Sequence, residues 1–212
     1  MATTSTQLRF RDPIDTARLR GAARFEFWAP KIRRRISLFD PLQVRLWTLL
    51  ESAPFVHAYC ERPAYSLFDG RRQLIDFWVK AGRREACWIL APESRSEGAD
   101  TVALNPTTSI NVRYIHATSL DSRDVWIENW MRILPYLAAN ERFVSDGLLR
   151  DVEQATILAS PKLGEIERDF QSHDIVLVRT AVFMLLHRGR IRADFLRVHP
   201  LGPGIPFRRS PT

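Results

Sequence analysis

Apolar and polar positions alternate differently in the two halves of the chain. Leu42, Leu46, Trp47, Leu49 and Leu50 recur at helical spacing behind Asp40-Pro41. An aspartate N-cap followed by a proline at the first helical position starts a helix that should stop before Pro54. Short apolar or alternating runs then predict strands from Val56 to Cys60, Ala64 to Phe68, Leu74 to Val79, Ala86 to Ala91, Thr101 to Leu104 and Ile110 to His116, with Asp69-Gly70 as a hairpin turn. From Asp121, read as an N-cap, the period becomes helical. Val125, Trp126, Trp130, Ile133, Leu134 and Leu137 make one stripe, with Pro135 inside it as a kink.

Further helices are predicted from Gly147 to Leu158, Pro161 to Phe170 and Asp174 to His187, followed by a basic strand from Ile191 to Phe195. Three short helices and a basic hairpin suggest a winged-helix module. Val176, Val178, Ala181, Val182, Phe183, Leu185 and Leu186 make its third helix predominantly apolar, with Arg179 and His187 as exceptions, so that helix is expected to be buried rather than laid in a DNA groove. The reading is therefore an α/β protein in four parts: a basic arm (1–39), an α/β core (40–120), a helical winged-helix-like domain (121–200) and a Pro-rich irregular tail (201–212).

Charge adds a partner class. The formal net charge is +7, and of 31 basic residues only Lys31, Lys80 and Lys162 are lysines. Residues 1–39 carry Arg9, Arg11, Arg18, Arg20, Arg24, Lys31, Arg33, Arg34 and Arg35 against Asp12, Asp15 and Glu26. A basic arm of this kind is the electrostatic footprint of a nucleic-acid binder. Lys31, Arg33, Arg34 and Arg35, with Arg190 and Arg192 in the basic hairpin, are the candidate phosphate contacts. Such contacts position a duplex without reading its sequence.

Other chemistry is thinly represented. Cys60 and Cys87 lie in predicted strands without metal-ligand spacing and read as reduced core thiols. The five histidines show no zinc spacing, and Gly202-Pro203-Gly204 follows no strand-to-helix pattern, so neither a zinc site nor a nucleotide site is expected. No apolar run reaches the roughly 18 residues of a membrane span, and no signal-peptide stretch opens the chain. A cytoplasmic protein without membrane partners is expected.

One group of residues carries a resemblance. Asp40-Pro41-Leu42-Gln43, Leu49-Leu50-Glu51, Tyr59-Cys60-Glu61-Arg62-Pro63 and Ile75-Asp76-Phe77 resemble, in order and spacing, the TnsA family, the restriction-endonuclease-like subunit of heteromeric cut-and-paste transposases. Asn129, in Trp126-Ile127-Glu128-Asn129-Trp130, matches an asparagine that family often carries in the helix after its nuclease core. The resemblance covers roughly residues 30–140. It implies a restriction-endonuclease-like core of the PD-(D/E)xK type, a mixed sheet flanked by helices. It also implies DNA, a transposase subunit and an AAA+ ATPase regulator as partners.

The departures fall on the chemistry. A metal-dependent nuclease needs at least two oxygen ligands for Mg²⁺ and a lysine to steady developing charge. By the resemblance, Asp76 is the surviving strand carboxylate. Gln43 stands at the helix-acid position, Arg62 replaces the glutamine of Glu-Gln-Pro, and Trp88 and Leu90 stand where a second acid or glutamine and the lysine belong. Lys80, on the side of Asp76 by strand parity, is the candidate migrated lysine, and Glu61, Glu85 and Glu93 are the candidate replacement acids. Two readings of Asp76 follow: a remnant metal ligand, or a strand-end carboxylate accepting backbone hydrogen bonds. The expectation is a DNA-binding, catalytically inactive TnsA-like subunit with no cofactor. The alternative is an active Mg²⁺-dependent endonuclease that cuts the non-transferred strand at transposon ends.

Overall fold

A computed structural model describes residues 8–15, 21, 23–68, 71–94, 99–105, 108–158 and 160–211 of the 212-residue chain. Arg18, Arg20 and the predicted turn Asp69-Gly70 lie outside the described residues. The protein is α/β and divides into two compact units, one drawn from residues 1–27, 31–46 and 55–121, the other from 28–30, 47–54 and 122–212.

Strands β1 (Phe25–Ala29) and β2 (Arg34–Leu38) pair as a two-stranded ladder. They fall within residues 1–39, so that segment is not simply an arm. Both strands are only five residues long and β2 opens on two arginines, so neither carries a clear alternating pattern. Helix α1 (Pro41–Ser52) begins as its cap predicts, with the Asp40 carboxylate accepting from Leu42 N–H at 2.7 Å. Its residues through Leu46 belong to the first unit and those from Trp47 to the second.

The first unit holds β3 (Val56–Glu61), β4 (Tyr65–Phe68), β5 (Arg71–Leu74), β6 (Phe77–Ala81), β7 (Arg84–Leu90), β8 (Ala99–Asn105), β9 (Thr108–Ile115) and the short helix α2 (Ala117–Asp121). Five strands form a mixed sheet in the order β3-β6-β7-β9-β8, antiparallel except between β7 and β9. Ala58, Cys60, Cys87, Ile89, Val112 and Tyr114 project to one face by the two-residue period and bury with Ile75 and Trp78 beneath Leu8 and Phe10. Burial pushes the Cys60 and Cys87 thiols up to about 12, so both are inert toward attack at neutral pH.

The strand predicted from Leu74 to Val79 is instead two. Pro63 has no N–H to extend the ladder of β3, and the chain changes partner around it. Ile75 N–H bonds the Ala64 carbonyl, whereas the Asp76 carbonyl accepts from Arg62 N–H at 2.8 Å. The chain therefore passes from pairing with β4 to pairing with β3 at Asp76.

The second unit is helical, with α3 (Asp124–Asn140), α4 (Asp146–Leu158), α5 (Leu163–Asp169) and α6 (Ile175–His187), followed by β10 (Ile191–Arg192) and β11 (Arg208–Arg209). Helix α6 packs against α3, α4 and α5, and its residues Val178 and Thr180 through Leu186 are buried. Asp174 caps it by accepting from Val176 N–H.

Three predicted details change. Asp121 ends α2 rather than capping the next helix, which begins at Asp124. The strand after α6 is only two residues long, and Asp194–Arg197 form a 3-10 turn. The tail is not irregular throughout: β11 pairs antiparallel with β10, anchored by the fully buried Phe207. No helix among the described residues is long and apolar enough to cross a membrane.

Candidate functional site

The break between β5 and β6 places Asp76 beside the first turn of α1. Gln43 reaches it from the helix, its Nε2 donating to Asp76 Oδ1 at 2.8 Å, and Leu90 N–H donates to Oδ2 at 2.8 Å. Gln43 is itself oriented, because its Oε1 accepts from Phe39 N–H at 3.1 Å. That contact points the amide donor, not the acceptor, at the carboxylate. Both oxygens of Asp76 are thus engaged by N–H groups.

The flanking residues add no ligand. Trp88 lies across the ladder from Phe77, and the Arg113 guanidinium sits 5.0 Å from the centroid of its ring. That position holds an aromatic carrying a cation and supplies no oxygen beside Asp76. Lys80 does not join the cluster. Four residues further along β6 it is roughly 13 Å from Asp76, and its Nζ lies 4.0 Å from Glu85, its cross-strand neighbour. Axial rise along the strand carries it out of reach.

The replacement acids are also committed elsewhere. Glu85 accepts from Arg9 Nε at 2.9 Å and Trp78 Nε1 at 3.2 Å. Glu93 accepts from Thr118 N–H and its hydroxyl, both at 3.1 Å. Glu61, 1% exposed, is held by both guanidinium nitrogens of Arg34, Nη1 to Oε1 at 2.8 Å and Nη2 to Oε2 at 2.5 Å. Among the described residues no group of three or more His, Cys, Asp or Glu side chains is placed to hold a metal ion. A hard divalent cation needs several oxygens in near-octahedral array, and the Asp76 cluster offers one carboxylate faced by two N–H donors. The residues present do not fit Mg²⁺.

The Asp76 carboxyl titrates above its ordinary value near 3.8. Burial is the main cause and Asp40 adds repulsion, against the smaller opposing pull of the Leu90 and Gln43 donors. A carboxyl that holds its proton more tightly in the folded state contributes stability fully present below the unfolded pKa and lost as pH rises through the folded one. Urea denaturation across a pH series should therefore show the Asp76→Asn variant gaining on the wild type as pH rises from near 3.8, then levelling off. A stability difference that is independent of pH, or that falls, would contradict this.

The residues expected to contact DNA separate into two kinds. Arg33 and Arg35 are exposed on either side of the half-buried Arg34. Lys31 is partly buried. Arg34 has a structural role, because its bidentate pair with the buried Glu61 carboxylate engages its hydrogen-bonding fork within the protein. Burial alone would lower its pKa, but the bond to Glu61 raises it above the ordinary arginine value. In the second unit Arg190 pairs with Glu153 at 2.7 Å and remains well exposed, whereas Arg192, 3.8 Å from Asp194, is partly buried at its Nε.

Pattern reading missed the Leu90 N–H, because any residue carries that donor and sequence gives it no signal. It also missed the pairing of Arg34 with Glu61, which joins residues 27 apart through tertiary packing alone. No protein-family model and no curated protein matches the chain. Asn129, by contrast, has a complete role within the second unit. Its Nδ2 donates to the Leu196 and His199 carbonyls at 2.8 Å, and its Oδ1 accepts from Leu201 N–H at 2.7 Å. It is a buried organiser of the turn after β10.

Proposed function

We propose that this chain is a DNA-binding, noncatalytic TnsA-like subunit of a heteromeric transposition complex. In that role it bridges transposon-end DNA, the transposase and an AAA+ regulator. The core is then a restriction-endonuclease-like fold without its nuclease, and the second unit a winged-helix-like docking module. The observation that carries the reading is the Asp76 cluster. A helix residue and a strand-end carboxylate meet as they would around a metal, but the helix contributes an amide donor that takes the cation's place. The burial of α6 supports protein docking over groove reading for the second unit.

Two measurements test this. Titration calorimetry with Mn²⁺ and Mg²⁺ should show no saturable binding that depends on Asp76. Binding that disappears in Asp76→Ala would revive the metal-dependent endonuclease, and strand-cleavage assays would then follow. Duplex DNA should bind with a log-log salt slope of about −4, as expected if roughly four to five exposed bases each neutralise one phosphate. A flat slope would remove DNA from the proposal.

A further inference from the structure

Arg62 adjoins the Asp76 cluster through the main chain but is not used by it. It is 7% exposed and stands at φ +44°, a left-handed conformation disfavoured for any residue with a Cβ. Its main chain is fixed on both sides: its N–H donates to the Asp76 carbonyl, and its carbonyl accepts from Ile14 N–H at 2.9 Å. Its guanidinium donates from Nη1 to the Ser37 carbonyl and lies 4.9 Å from the centroid of Phe39.

One donor is unused. Nε is buried with no hydrogen-bond partner, and Glu61, the adjacent carboxylate, is saturated by Arg34. Burial holds the Arg62 pKa below the ordinary arginine value. A buried cation with no direct ion pair among the described contacts is costly even with Glu61 and Asp15 near enough to favour its charge, and strained backbone conformations of this kind cluster at functional sites.

Beside it is a cavity of about 380 Å³, lined by Arg62, Arg24, Asp15, Ser37, Phe39 and Ile14 among others. That is within the size range of small-ligand pockets. Asp15 opposes a bare anion, so the ligand must bring a hydrogen-bond donor as well as negative charge. The exposed Arg24 is shared with Glu26 at 2.5 Å and remains at the mouth.

We propose that this cavity binds a nucleotide bearing a terminal phosphate. The phosphate lies on Arg62 and Arg24, a hydroxyl or amino group on Asp15, and the apolar body against Phe39 and Ile14. It is not a Gly-rich loop site, so the absence of that motif does not bear on it. The source is either a free nucleotide or the 5′ end of a DNA strand.

The test is titration calorimetry on the full chain with dAMP, deoxyadenosine, inorganic phosphate, and duplexes ending in 5′-phosphate or 5′-hydroxyl. Saturable binding of dAMP, at least tenfold tighter than deoxyadenosine or phosphate alone, is expected. It should fall tenfold or more in Arg62→Gly, a change that suits the left-handed backbone, and several-fold in Arg24→Ala, an exposed position. A 5′-phosphate preference of tenfold or more between the duplexes would assign the pocket to a DNA end. Equal binding of the two duplexes, with dAMP binding retained, would assign it to a free nucleotide. No phosphate dependence in any arm, or binding unchanged in both variants, would overturn the site. The 5′-hydroxyl duplex measures general DNA affinity separately, so either reading can fail without the other.

Discussion

Replacing Arg34 with alanine is expected to destabilise the protein by about 3–5 kcal/mol, the range for removing one partner of a buried ion pair. Glu61 is 1% exposed and both its oxygens are taken by the Arg34 fork. Alanine would leave that carboxylate desolvated and unpaired. Arg34→Lys should recover only part of the loss, since an ammonium cannot reproduce the two parallel bonds. Glu61→Gln in the Arg34→Ala background should restore stability by removing the buried charge. Arg33→Ala and Arg35→Ala, at exposed positions, should change stability by no more than about 0.5 kcal/mol while weakening DNA binding. Urea denaturation of the five variants checks the ordering. An Arg34→Ala cost as small as that of Arg33→Ala would mean that Arg34 is a surface DNA contact after all.

The second large effect is expected at Glu51, which is fully buried and bonded to His187 Nε2 at 2.8 Å. This contact within the second unit ties the end of α1 to the end of α6. Glu51→Ala removes the only carboxylate facing that ring nitrogen among the described contacts and opens a cavity, for an expected loss of about 3 kcal/mol. Glu51→Gln retains an acceptor and should cost about 1 kcal/mol. His187→Ala in the Glu51→Ala background should add less than it does alone, because the two residues share one interaction. Additive losses in that double-mutant cycle would show that the two side chains are stabilised independently.

Both residues show why a functional pattern can be legible in sequence while its chemistry is not. Glu61 and Arg34 each carry a charge that suits a nuclease or a DNA contact. Burial converts them into a structural pair, and burial depends on what packs around them. Lys80 illustrates the same limit along a strand: parity assigns a face, but only the paired register shows that Glu85 is its neighbour. The role of Gln43 depended on the Phe39 N–H, which turned its amide around.

The amino-acid sequence alone determined the α/β class, the start of α1 at its Asp40 cap and the apolar character of α6. These follow from periodicity, capping and turn chemistry, which act over a few residues. Tertiary structure alone decided the split at Asp76, the hairpin inside residues 1–39 and the return of β11 to β10. It also decided why residue 189 is glycine: φ is +71°, and an added Cβ would lie 2.6 Å from Pro54 Cβ. Such features are fixed by contacts between segments far apart in the chain, and local pattern carries no record of which segments will meet.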